Sequence, residues 1–192
     1  MRHGQTIYQT KKKDILYPWP EKTFTRRSLG EGGPVVLTKE GEKQIKEVVE
    51  KLKKENIDLI FSSDFFRTRQ TAGIISKVIR IKPIFDKRLR DLDMGIFSGG
   101  LKENYKNFFT SRKQRFFKRP PKGENWQDVK KRLFDFLKDI EKKYKNKNIL
   151  IISHGDPLWF LAGIIRGLKT EKEFLKEKYG RFYPNVGQLI IP

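Results

Sequence analysis

The chain has 192 residues, with 43 Lys or Arg against 23 Asp or Glu, two His and no Cys, for a net charge of +20. Lack of Cys excludes disulfides, thiolate catalysis and cysteine-ligated zinc, and two histidines are too few for a histidine-rich metal site. No apolar run of about 18 residues exists to span a membrane, and no apolar h-region follows the N-terminus, so a single cytoplasmic domain over residues 1–192 is expected. The positive field favours anionic partners: phosphate esters, nucleic acid or acidic headgroups.

Residues 8–36 are rich in Gly, Pro and charge and read as a long loop. Thr38 is placed to cap a helix, with Glu40 and Glu42 in its first turn and Ile45, Val48, Val49 and Leu52 at helical spacing, ending at Asn56. Leu59–Phe61 reads as a short buried strand, followed by a helix over Arg67–Ile79 and a weak strand at Pro83–Phe85. Residues 89–100 read as a Gly-containing loop, and 101–119 as one basic, aromatic helix broken by Pro120 and Pro121. A further amphipathic helix carries Trp126 to Ile140. Ile149–Ile152 reads as a strand, Pro157 suits the first turn of the helix that follows it through Ile165, and Gln188–Ile191 reads as a last strand. Strands alternating with helices predict an α/β fold: a three-layer α/β/α sandwich, its sheet mostly parallel and helices on both faces.

Both histidines precede a glycine, in Arg2-His3-Gly4 and Ser153-His154-Gly155. Histidine is a nucleophile and base near neutral pH, and an adjacent arginine clamps anions. His154 and the Ser62–Arg67 stretch each follow a predicted strand, the end at which α/β sheets gather ligands. The helix N-termini there would add backbone N–H groups aimed at an anion. This arrangement points to phosphate chemistry.

At these positions the chain resembles the histidine phosphatase superfamily, also called phosphoglycerate mutase-like. Arg2-His3-Gly4-Gln5-Thr6 resembles its first signature. Leu37 to Gly41, Ser62 to Ala72, Leu89 to Gly95, Pro121 to Asn125 and Ser153 to Gly155 resemble further elements, in the family's order. The resemblance implies a metal-independent phosphomonoester phosphatase without cofactor, acting on a small phosphorylated substrate. His3 would become phosphohistidine, and Asp91 would serve as acid and then base. Arg2, Arg67, His154, Gln9 and Gly155 would surround the phosphate. It also implies that a central strand before Arg2 is missing from this chain, read as an N-terminal truncation. Asp91 stands where the family usually has Glu, Gln9 where many members have Asn, and Asn125 where Ser is usual. Asp93 is a rival acid.

Two other readings stay open: phosphoglycerate mutase-type transfer, and a non-catalytic anion- or nucleic-acid-binding protein on the same scaffold. Leu101 to Lys122 holds eight Lys or Arg, one acid and interleaved aromatics. That pattern can bind nucleic acid, but a basic lid over the site is the preferred reading. Substrate and oligomeric state are not written in the sequence.

Overall fold

The structure is a computed structural model and describes residues 1–18, 35–177 and 183–191. Most of the loop read at 8–36 therefore lies outside the described residues.

Helix α1 (Lys39–Leu52) starts where Thr38 Oγ1 accepts the Gly41 amide, and it buries Ile45, Val49 and Leu52 on one face. Past its end, Asn56 sits in the left-handed region (φ 45°) and turns the chain into β1 (Leu59–Ser62). Then come α2 (Phe66–Ile79), closed by Arg80 in the same left-handed conformation, and β2 (Pro83–Phe85). Helix α4 (Trp126–Lys143) follows the short α3 (Lys102–Asn107), then β3 (Ile149–Ile152), α5 (Gly155–Ile165) and α6 (Glu171–Glu177).

The three strands pair in parallel in the order β2-β1-β3, with Ile60 opposite Leu150 and Ser62 opposite Ile152. Successive strand residues point to opposite faces. Ile60, Leu150 and Ile152 join Ile45, Val49, Ala72 and Ile75 of α1 and α2. Phe61 joins Phe136, Leu133 and Val129 of α4, together with Leu158, Trp159 and Phe160 of α5. Two cores, one on each side of the sheet, make the three-layer sandwich that the alternating pattern predicts. No described helix is long and apolar enough to cross a membrane.

Two expected elements differ. The helix read over 101–119 is two short pieces, α3 and a 3-10 turn at Arg112–Phe116. Phe108 and Phe109 end α3 by packing on Phe97 and Tyr105, and the Thr110 amide is held by Gln114 Oε1, so the chain restarts at Ser111. Gln188–Ile191 forms no strand. Gly187, at φ 71°, turns the chain, and the backbone bonds Gly187 N to His3 O and Arg2 N to Gln188 O hold it beside the N-terminus. Leu189 instead packs against the α1–α2 core.

Candidate active site

Residues 1–3 run parallel to the end of β3. The Ser153 amide donates to Met1 O (3.1 Å) and the His3 amide to Ser153 O (3.2 Å). This pairing places His3 and His154 side by side, their ring centroids 5.3 Å apart. The next turn folds tightly over α1. A Cβ on Gly4 would lie 2.6 Å from Gly41 O, a backbone neighbour that cannot give way. Arg67 enters from the first turn of α2, just past the end of β1.

The guanidinium of Arg67 joins the site. It is fully buried, and its Nε donates to His3 Nε2 (3.3 Å) while Nη2 reaches His154 Nδ1 (2.9 Å) and Asp91 Oδ2 (3.1 Å). Because guanidinium nitrogens only donate, these contacts set both tautomers. His3 carries its proton on Nδ1, which donates to Gly4 O (2.8 Å), and turns its Nε2 lone pair toward Arg67. His154 carries its proton on Nε2, which donates to Ser63 Oγ (2.9 Å). Both histidines are held well below the ordinary imidazole value, burial being the main cause and the Arg67 charge the next. Both rings are therefore neutral near pH 7.

Asp91 behaves in the opposite way. Burial raises its carboxyl above the usual range, the Arg67 charge opposes this, and the charge of Asp156 adds to it. Its Oδ1 accepts the Leu92 amide (3.0 Å). The rival Asp93 lies elsewhere: its carboxylate accepts the Gly95 amide, and its own amide donates to Glu124, which is paired with Arg132. Asp93 and Glu124 thus brace the loop that carries Asp91.

Arg2 lines the pocket that opens onto Asp91. One of its terminal nitrogens donates to Pro184 O (3.1 Å), and its buried Nε has no hydrogen-bond partner among the described residues. Gly155 begins α5 directly under Tyr183, where a Cβ would come within 2.5 Å of the phenol oxygen.

Gln9 lines the same pocket as Arg2, Asp91 and Gly155, and its side chain also holds the local turn. Its Oε1 accepts the Thr6 amide (2.8 Å), closing a capping box around the 3-10 turn at Ile7–Gln9, and its Nε2 donates to the Tyr17 hydroxyl. The pattern Thr6-x-x-Gln9 is a capping-box signature that was open to reading. Tyr17 escaped the sequence reading. Its ring lies 4.1 Å from the Arg67 guanidinium carbon and meets the His3 ring edge-on at 6.3 Å. Asp156 and Tyr183 were also missed. The Tyr183 hydroxyl donates to Asp156 Oδ1 (3.1 Å), and Trp126 Nε1 donates to its Oδ2 (3.1 Å). Among the described residues, no group of three or more His, Asp or Glu is placed to hold a metal.

Known proteins resemble this chain in sequence and in fold. Over 146 residues the chain is 34% identical to a Photorhabdus laumondii protein named "Probable phosphoglycerate mutase GpmB", covering 71% of this chain and 66% of that one. Over 141 residues it is 28% identical to "Phosphoserine phosphatase 1" of Hydrogenobacter thermophilus, covering 71% of this chain and 67% of that one. The chain thus spans about two thirds of the length of these relatives. Among solved structures, Bacillus stearothermophilus YhfR superimposes with a TM-score of 0.74 over 97% of this chain and 85% of its own, at 20% identity, a likeness of fold. The family model of the histidine phosphatase superfamily (branch 1) matches residues 1–175, a span that holds Arg2, His3, Arg67, Asp91 and His154, and the chain belongs to that superfamily.

Proposed function

We propose that this chain is a phosphomonoester phosphatase that works through a phosphohistidine on His3. The observation that carries the reading is a neutral, buried His3 whose Nε2 lone pair faces the Arg67 guanidinium, with Asp91 and His154 on the same guanidinium. Phosphate monoesters are the class of substrate this set serves. The relatives named as a phosphoglycerate mutase and a phosphoserine phosphatase support the same chemistry.

An incoming phosphoryl group competes for the donors of Arg67 and for the unpaired Nε of Arg2, which frees His3 Nε2 to attack phosphorus. The N–P bond forms as the ester P–O bond breaks. The leaving oxygen takes the proton of Asp91, whose raised carboxyl suits that task. Asp91, now a carboxylate, removes a proton from water. The water oxygen attacks phosphorus, the N–P bond breaks, and inorganic phosphate leaves with His3 neutral again. Arg2 and Arg67 stabilise charge on the phosphoryl oxygens, each such donor contributing about 2–4 kcal/mol in a preorganised site, while His154, its Nε2–H held by Ser63 Oγ, positions the Arg67 guanidinium through Nδ1. Because cationic side chains supply this stabilisation, the reaction requires no metal.

Product analysis tests the reading. With chelator present, 3-phosphoglycerate or phenyl phosphate should yield inorganic phosphate, and His3→Ala should lower kcat by about 10⁴-fold or more. Conversion of 3-phosphoglycerate to its 2-isomer without phosphate release would instead make the chain a mutase. Turnover retained in His3→Ala would overturn the reading.

A further inference from the structure

A pocket of about 360 Å³ opens in front of Asp91 and Arg2, at the small end of ligand-site volumes. Lys102 and Lys106 of α3 and Arg115 of the 3-10 turn beyond it form part of its wall. The Arg115 guanidinium is half-buried among aromatic faces, 5.1 Å from Tyr105, 5.4 Å from Phe109 and 5.5 Å from Trp126. Those rings fix its position without neutralising its charge. Among the described residues none of these three cations has a carboxylate partner, whereas Arg67, Arg88, Arg90, Arg119 and Arg132 all do.

The two carboxylates of the pocket are engaged elsewhere, Asp91 by Arg67 and Asp156 by Trp126 and Tyr183. Lys102 donates to Lys13 O, and the α3 start is pinned by its backbone bond to Asp14 O (2.9 Å). The wall is therefore built, and its charge is unmatched. Burial, foremost, lowers the Lys102 ammonium, with Lys106 and Arg2 adding repulsion against the opposing pull of Asp14. Clustered, partly desolvated cations are costly unless an anion completes them. A guanidinium held in place is suited to bind a carboxylate or phosphate in a fork.

We propose that Lys102, Lys106 and Arg115 form a second anion subsite, so that the substrate is a small phosphate monoester bearing a further carboxylate or phosphate away from the reacting phosphorus. The proposal rests on the phosphatase reading of His3 for its first anion site. The cations line a concave pocket with room for one small molecule, so the partner is a metabolite-sized dianion or larger anion.

The test compares kcat/KM for three probes with chelator present: phenyl phosphate, which has no second anion, 3-phosphoglycerate, and 2,3-bisphosphoglycerate. Wild-type protein should favour at least one of the anionic probes over phenyl phosphate by about tenfold or more. The better of the two then says whether the second group is a carboxylate or a phosphate. Arg115→Gln should lower that ratio about tenfold and Lys106→Gln about threefold. Lys113→Gln, exposed and outside the pocket, should leave it unchanged. Lys106 is itself exposed, so its variant separates the subsite from any folding defect of Arg115→Gln. Equal loss in Lys113→Gln would mean that only the overall charge matters, and an unaltered ratio in both pocket variants would mean that the subsite does not exist; either overturns the proposal. Calorimetric binding of 3-phosphoglycerate to His3→Ala reads the subsite without turnover. There Lys106→Gln should weaken binding about threefold, whatever becomes of the phosphohistidine, and unchanged affinity would likewise overturn the proposal.

Discussion

At the scale of single residues, Arg67 organises the site. One buried guanidinium sets the tautomer of His3, meets His154 and holds Asp91, so three groups from distant parts of the chain share one reference point. Legibility varied among these residues. His3, His154 and Arg67 stood in recognisable short contexts. The choice between Asp91 and Asp93 did not, because both lie in one loop two residues apart and only packing separates them. Asp91 faces Arg67, whereas Asp93 caps the turn at Gly95. If Asp91 is the acid, Asp91→Asn keeps the contact to Arg67 but cannot donate its proton to a leaving oxygen. Its kcat should fall about 10²–10⁴-fold on an alkyl phosphate and far less on p-nitrophenyl phosphate, whose leaving group needs no proton. Equal losses on both would make Asp91 only a positioning residue for Arg67.

At the scale of elements, the regular pieces were legible because their periods are strong. The i, i+3, i+4 pattern of Ile45, Val49 and Leu52, and that of Val129, Leu133, Phe136 and Ile140, became the buried faces of α1 and α4. The same logic failed over 101–119. Basic residues interleaved with aromatics fit a helical pattern, yet the rings of Phe108 and Phe109 gain more by packing on Phe97 and Tyr105 than by continuing the helix. The break at Thr110 and Ser111 directs Arg115 toward the pocket, and so shapes the anion subsite. Gln9 and Tyr17 were unreadable as a pair for a related reason. They lie in a stretch without periodicity, and their contact depends on a 3-10 turn and on the position of Arg67 behind it. Tyr17 covers the guanidinium, and His3 is fully buried.

At the scale of the whole molecule, the two buried neutral histidines couple the site to stability. Each has a folded value depressed below the ordinary value of 6.5, so the unfolded chain binds more protons between those limits. Stability is then fully present above about pH 6.5 and is lost as pH falls through the window beneath it, by up to about 1.4 kcal/mol per pH unit for each histidine. Asp91, whose folded value is raised, acts in the other direction and offsets part of this loss as it takes up its proton. A Tm decrease of several degrees is expected between about pH 7 and about pH 5. The His154→Gln variant should show a shallower decrease, and an identical slope in that variant would contradict the burial of a neutral ring. Two cores on opposite faces of one small parallel sheet keep the N-terminal segment and β3 in register, and that register is what sets His3 against His154.

The central claim is tested most directly by trapping the intermediate. Protein mixed with phenyl phosphate, quenched in alkali within the first turnover and digested should yield a phosphoryl group on the peptide carrying His3, stable to base and labile to acid, and absent from His3→Ala. A phosphoryl group found on another residue, or none in protein that is releasing phosphate, would contradict the account.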